Sequence, residues 1–173
     1  MNNQSDHNIL LSAEEISTRI VELGASITEH YKGETVTVLA LTNGALIFAA
    51  DLIRQIKSPV RLDTFAVASY KERKSSGKLN LRAKPKLDVS GQQILIIDDI
   101  LDTGLTLNGV KNWLQAHGAA SITICVLLDK QVAQRKAEIF ANWTGFEIPD
   151  EFVYGYGLDR DELDRNLPFI AHI

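Results

Sequence analysis

Three aspartates crowd one short stretch, ILIIDDILDTGLTL (94–107): Asp98 and Asp99 adjacent, then Asp102 beside Thr103, Gly104, Leu105 and Thr106. Adjacent carboxylates placed straight after a buried apolar run repel each other and lose hydration, so they call for a partner. The residues that follow suggest one. Two hydroxyls and a glycine at the start of a helix expose backbone N–H groups to an anion, and glycine lets that anion come close. The pattern can cradle a phosphate, with Thr103 and Thr106 adding donors. It is not a nucleotide-binding P-loop, because the GxxxxGK[ST] lysine and spacing are missing. A ribose carrying a 5-phosphate meets both demands: phosphate on the helix start, sugar hydroxyls or a bridging Mg²⁺ on Asp98 and Asp99. The plainer reading makes Asp102 an N-cap and Asp98 and Asp99 turn residues.

The surrounding elements place this stretch. Ser12-Ala13-Glu14-Glu15 is a capping box, and Ile16, Ile20, Leu23, Ile27 and Tyr31 recur at helical spacing. TVTVLAL (35–41) is a strand ending at Asn43-Gly44, and ALIFAADLIRQI (45–56) a largely buried helix. VRLDTFAVAS (60–69), QILIID (93–98) and SITICVLL (121–128) are further strands. The helix between the last two carries Leu107, Val110, Trp113 and Leu114 on one face and ends near Gly118. EFVYGYGLD (151–159) reads as a short strand leading into a loop, while 130–148 has no clear period. Alternating strands and helices predict an α/β fold with a mainly parallel, twisted sheet flanked by helices. Ligands of such sheets sit beyond the carboxyl ends of the strands. Those ends are Leu41 to Gly44, Asp98 to Thr106, Asp129-Lys130 and the residues after Val153.

The chain has 173 residues, 45% of them hydrophobic, which suits one domain spanning 1–173. No apolar run is long enough to span a membrane, and the opening MNNQSDHNILLSAEE has no signal-peptide pattern. Cys125 is the only cysteine and sits in an apolar run, so a core role and a cytoplasmic setting are expected. Net charge is −4, yet residues 71–86 hold seven of the 18 Lys and Arg against one acid. An acidic body with one basic segment does not suit nucleic acid; it suits a local loop that meets something anionic.

The string IIDDILDTGLTL closely resembles the phosphoribosyl diphosphate (PRPP) motif of type I phosphoribosyltransferases: a hydrophobic strand, two acids, two mostly apolar residues, then D-[ST]-G-x-T. LTNGALIFAADL, ASYKERKSSG, Lys130 and FVYGYGLDRDELDRNLPFI resemble the 6-oxopurine branch of that family, and the likeness runs from about Leu41 to Leu167. The resemblance implies a type I phosphoribosyltransferase fold with a small hood built from the chain-terminal segments, about 130–173 contributing the purine side. It implies transfer of phosphoribose from PRPP to hypoxanthine or guanine, with release of pyrophosphate. Asp98 and Asp99 would meet the ribose hydroxyls and Mg²⁺, Asp102 would be the general acid/base near N7, and Thr103 to Thr106 would bind the 5-phosphate, Leu105 by its backbone only. Lys130 would donate to the 6-oxo group, Phe152 stack on the purine, and Val153 offer its main chain to the base edge. Asp159 would be a metal ligand and Arg165 a pyrophosphate ligand. Ser69 and Tyr70 would open a flexible loop (70–86) that closes over the site. A homodimer or homotetramer is implied as well.

One segment departs from that pattern. Where relatives often carry a basic residue in the first loop, this chain has Leu41-Thr42-Asn43-Gly44. The family likeness implies a cis Thr42–Asn43 bond and pyrophosphate contacts from the backbone of Thr42, Asn43 and Gly44. Residues 1–10 have no counterpart and are expected to be mobile. Two other readings stay open: a nucleotide-sensing regulator on the same fold, and a transferase for another base.

Overall fold

Strands that are apolar on both faces need cover on both faces, and the helices of this chain supply it. The computed structural model describes residues 7–67 and 81–173. In chain order the elements are β1 (Asn8–Leu11), α1 (Ala13–Tyr31), β2 (Val36–Thr42), α2 (Leu46–Ile53), β3 (Val60–Val67), β4 (Leu81–Ala83), β5 (Gln93–Leu101), α3 (Leu105–Ala116), β6 (Ser121–Lys130), β7 (Trp143–Ile148), β8 (Val153–Tyr154) and β9 (Ile170–His172). The main sheet has the order β4-β3-β2-β5-β6-β7. All its neighbours pair in parallel except β4, which runs antiparallel to β3.

Alternation along the strands sorts side chains between two cores. Val36, Val38 and Ala40 of β2 face Ile16, Ile20, Leu23 and Ile27 of α1 and Phe48 and Leu52 of α2. Leu39 and Leu41 turn the other way, toward Leu107, Val110 and Leu114 of α3. Cys125 is fully buried in the first core, as its sequence context predicts. The capping box forms, with Ser12 accepting from the Glu15 N–H and Glu15 from the Ser12 N–H. Gly118 takes the left-handed backbone (φ 80°) that follows the end of α3.

The chain ends build a second, antiparallel sheet of order β1-β9-β8, the hood that the family likeness implies. Residues 1–6 lie outside the described residues, while His7 and the residues of β1 are held in this sheet. Asn8 and Ile9 pair with His172 and Ala171, and His7 Nδ1 lies 3.0 Å from the Tyr154 hydroxyl. The pairing needs the far end of the chain as an edge, so local sequence could not reveal it. Three boundaries move too. β5 runs on to Leu101 and β6 to Lys130, which puts Asp98, Asp99 and Lys130 inside the strands' carboxyl ends. The second helix is shorter than the predicted 45–56. The unread region after Lys130 contains β7, which closes the edge of the main sheet. No helix among the described residues is long and apolar enough to cross a membrane.

Gly24 in α1 tests how closely that helix approaches Gln55, just past the end of α2. A Cβ there would lie 2.3 Å from Gln55 Cβ and 3.0 Å from the Gln55 carbonyl carbon. Helix propensity alone favours Gly24→Ala by about 1 kcal/mol. Overpacking against backbone costs about 1–3 kcal/mol and should win. Denaturant unfolding should therefore find the variant less stable; a gain in stability would mean that the helices stand further apart.

Candidate active site

The site is assembled where strands β2, β5 and β6 end. Asp98 is 8% exposed, and its Oδ1 accepts from the Asp99 N–H at 3.1 Å. Asp99 Oδ1 accepts in turn from the Ile100 N–H at 3.0 Å. Neither carboxylate forms an ion pair among the described residues. Burial, and then the charge of Asp99, pushes the Asp98 carboxyl well above the usual carboxylate range; burial raises Asp99 as well. Asp99 also presses against the first loop. A Cβ on Gly44 would fall 1.7 Å from Asp99 Oδ2, so any side chain there would displace the Asp99 carboxylate. The Thr42–Asn43 bond of that loop is cis, as the family likeness implies.

Asp102 to Thr106 form the turn from β5 into α3. Gly104 is the N-cap, in the left-handed region at φ 79°, and no side chain caps the helix. Asp102 is therefore not an N-cap, and its half-buried carboxylate remains available to the cleft. The first helical bond is Asn108 N–H to Gly104 carbonyl at 2.9 Å, which leaves the preceding N–H groups free for an anion. Behind the turn, Lys136 and Ala137 donate their N–H groups to the Thr103 carbonyl at 3.0 and 3.2 Å. A Cβ on Gly104 would meet Ile139 Cγ2 at 2.8 Å. The segment without readable period thus braces the anion turn from below, a role that no local signal announced.

Lys130 closes β6, and its Nζ lies 3.2 Å from Asp150 Oδ1. Only 15% of that side chain is exposed, so it is not a solvated surface lysine. Asp150 precedes the half-exposed Phe152 and the buried Val153, while Tyr154 packs inward with Arg160 4.4 Å above its ring. On the other flank, Arg165 is held three ways. Its guanidinium donates to the Gly157 carbonyl at 2.8 Å and meets Asp159 Oδ1 at 2.7 Å and Glu162 Oε2 at 3.2 Å. Asp159 Oδ2 in addition accepts from the Glu162 N–H.

A cleft of about 770 Å³ joins these groups. Thr42, Asn43, Gly44, Asp98, Asp99, Asp102, Thr103, Gly104, Thr106, Lys130, Phe152, Val153, Asp159 and Arg165 all line it. Leu105 lies in the first turn of α3 and contributes no side chain to the lining. Ser69 and Tyr70 fall outside the described residues. Ala66 and Val67 of β3 also line the cleft. Asp63, lower on β3, accepts from the N–H groups of Lys86 and Leu87 and so ties down the chain that follows β4. Asp159 does not join Asp98 and Asp99 in one cluster, for no group of three metal-ligating side chains gathers among the described residues. Leu158 and Glu162 also line the cleft, though sequence reading did not single them out. Glu162 is spaced one helical turn from Arg165 with no helix to use it, and the pairing depends on left-handed backbone at Asp161, Glu162 and Asp164.

Known proteins resemble this chain in sequence and fold. The model of the phosphoribosyl transferase domain matches residues 7–161. A hypoxanthine phosphoribosyltransferase of Haemophilus influenzae is 40% identical over 171 residues, covering 96% of this chain and 94% of that protein. The hypoxanthine-guanine phosphoribosyltransferase of Bacillus subtilis is 44% identical over 164 residues, 94% of this chain and 91% of its own length. Among solved structures, a hypoxanthine phosphoribosyltransferase of Staphylococcus aureus superposes with a TM-score of 0.93 at 38% identity, covering 100% of this chain and 96% of the other. Placed beside the cleft geometry, these likenesses show that the chain belongs to the phosphoribosyl transferase family, in its hypoxanthine-guanine branch.

Proposed function

We propose that this chain transfers the 5-phosphoribosyl group of PRPP to N9 of hypoxanthine or guanine, giving the nucleoside monophosphate and pyrophosphate. The observation that carries this reading is the sharing of one cleft by an anion turn at Thr103–Thr106, the acid pair Asp98–Asp99, Lys130 with Phe152 on one flank and Arg165 on the other. The 5-phosphate sits on the free N–H groups before α3 and on the hydroxyls of Thr103 and Thr106. Asp98 and Asp99 take the ribose hydroxyls. Arg165 turns its guanidinium to the pyrophosphate. The purine lies against Phe152 with its edge at the Val153 backbone. Lys130 donates to its 6-oxo group; the amino group of adenine would set donor against donor, which rejects that base. Asp102 handles the proton at N7 while the C1–pyrophosphate bond loosens.

The acid pair fits a divalent cation. Two adjacent oxygen-donor side chains, Asp98 buried and Asp99 half-buried, without ion-pair partners among the described residues, match what Mg²⁺ uses, since it takes one or two carboxylates and fills its shell with substrate oxygens and water. When bound, Mg²⁺ supplies neutralisation of the charge that develops on the leaving pyrophosphate. Ser69 and Tyr70 are proposed, from the family pattern alone, to close over the substrates.

Purified protein incubated with hypoxanthine, PRPP and Mg²⁺ should form IMP, read by chromatography. Absence of product with hypoxanthine, guanine and xanthine alike would overturn the proposal. Asp102→Asn should bind PRPP normally yet turn over on the order of 10²–10⁴-fold more slowly, and an unchanged rate would remove its proton-transfer role. Lys130→Ala should raise the KM for hypoxanthine by about 10- to 100-fold, the worth of one charged hydrogen bond, and leave the KM for PRPP nearly unmoved.

Asp98→Asn carries a prediction about stability. A carboxyl whose pKa is raised on folding holds its proton more tightly in the folded state, so it costs stability as pH rises above the unfolded value of about 4. Without metal, the Asn variant should melt close to the natural protein at pH 4 and above it at pH 7.5. A variant that melts lower at pH 7.5 would contradict the raised carboxyl.

A further inference from the structure

The turn Gly155-Tyr156-Gly157 places three successive residues in the left-handed region, at φ 97°, 49° and 102°. The two glycines explain themselves by crowding. A Cβ on Gly155 would fall 2.2 Å from the Phe169 carbonyl oxygen, and one on Gly157 would fall 2.2 Å from the Gly44 carbonyl oxygen. The tyrosine between them has no such freedom, and its side chain is buried. Its hydroxyl donates to Oδ2 of Asp51 on α2, whose other oxygen pairs with Arg54. α2 is the helix that begins directly after the Thr42–Gly44 loop.

The turn joins the parts of the proposed PRPP site. The Gly157 N–H donates to the Arg165 carbonyl at 2.9 Å, and the Arg165 guanidinium donates back to the Gly157 carbonyl. The Tyr156 N–H donates to the Leu167 carbonyl at 2.9 Å. Leu158 and Asp159, the next two residues, line the cleft. On its other side the turn rests on Gly44, which in turn touches Asp99. The Tyr156–Asp51 contact to α2 thus adds a side-chain tie to the backbone contacts that hold the first loop against the Asp159–Arg165 arm. We infer that Tyr156 and Asp51 are a positioning pair that sets the spacing between the first loop and the Arg165 arm, and so the affinity for PRPP. Neither touches the reacting atoms. The inference rests on the proposed transfer reaction. Burial, aided by the Asp51 charge, raises the titration of the phenol, so it stays a donor throughout the working pH range.

Steady-state kinetics of the full chain test this. Tyr156→Phe and Asp51→Ala should each raise the KM for PRPP by about 5- to 20-fold, a part of the worth of a charged hydrogen bond because the pair acts on the site indirectly, and move the KM for hypoxanthine less than about 2-fold. Asp51→Asn keeps an acceptor and should recover most of the loss. The double variant Tyr156→Phe/Asp51→Ala should be no worse than either single change, because both remove one contact. A merely stabilising contact would lower the melting temperature and leave the KM for PRPP unchanged at 25 °C. That result, or effects that multiply in the double variant, would overturn the pair. Should Tyr156→Phe fail to fold, Asp51→Ala against Asp51→Asn decides the matter alone. If the natural chain forms no IMP, the transfer reading falls and this inference with it; if it does and the variants match it, only the positioning pair falls.

Discussion

Two carboxylates that water would not choose to leave are held side by side at the end of β5. Asp98 and Asp99 are raised by burial, and Asp98 also by its neighbour, and neither forms an ion pair among the described residues. The strand that carries them supplies the force. Ile94, Leu95, Ile96 and Ile97 are fully buried, and each contributes on the order of 1.5–3 kcal/mol. That burial fixes the strand, and its polar tip must go where the strand goes. The site is thus a place where folding leaves an electrostatic demand unmet inside the protein.

The rest of the fold is arranged around that demand. Parallel pairing of β2, β5 and β6 brings three strand ends to one edge, so a loop, an acid pair and a lysine meet although far apart in sequence. α3 starts immediately beyond β5 and turns its free N–H groups toward the same edge. The hood, built of strands from both chain ends, brings Val153 of β8 to the cleft. Close packing joins the pieces at three glycines: Gly44 against the Asp99 carboxylate, Gly104 against Ile139 and Gly157 against the Gly44 carbonyl.

What the sequence revealed follows from where the information is local. The capping box, the buried faces of α1 and α3 and the acid-rich end of β5 are each written within a few residues, and each is found in place. The cleft residues were legible because the PRPP-like string fixes chemistry and spacing together. β1 was not legible, because its partner β9 lies at the other end of the chain. Nor was the bracing of Thr103 by Lys136 and Ala137, which uses main-chain groups that any residue offers. Glu162 was passed over for a similar reason: its contact with Arg165 depends on left-handed backbone that three acidic residues do not advertise.

The charges lining the cleft are unequal in a way that bears on what can enter. Five acids, Asp98, Asp99, Asp102, Asp159 and Glu162, face two cations, Lys130 and Arg165, among the described residues. Both cations already have acidic partners, Lys130 with Asp150 and Arg165 with Asp159 and Glu162. Among the described residues the acids at the end of β5 have none. A bare polyanion would have to break the pairs on the cations while facing the unpaired acids. An anion that arrived with a divalent cation would meet the opposite situation, because that cation would offset the charge of the acids at the end of β5. With Thr42 supplying no charge to the first loop, that asymmetry weighs more heavily, and affinity for a phosphorylated sugar becomes a matter of how closely the backbone of Thr42–Gly44 is held against the Arg165 arm.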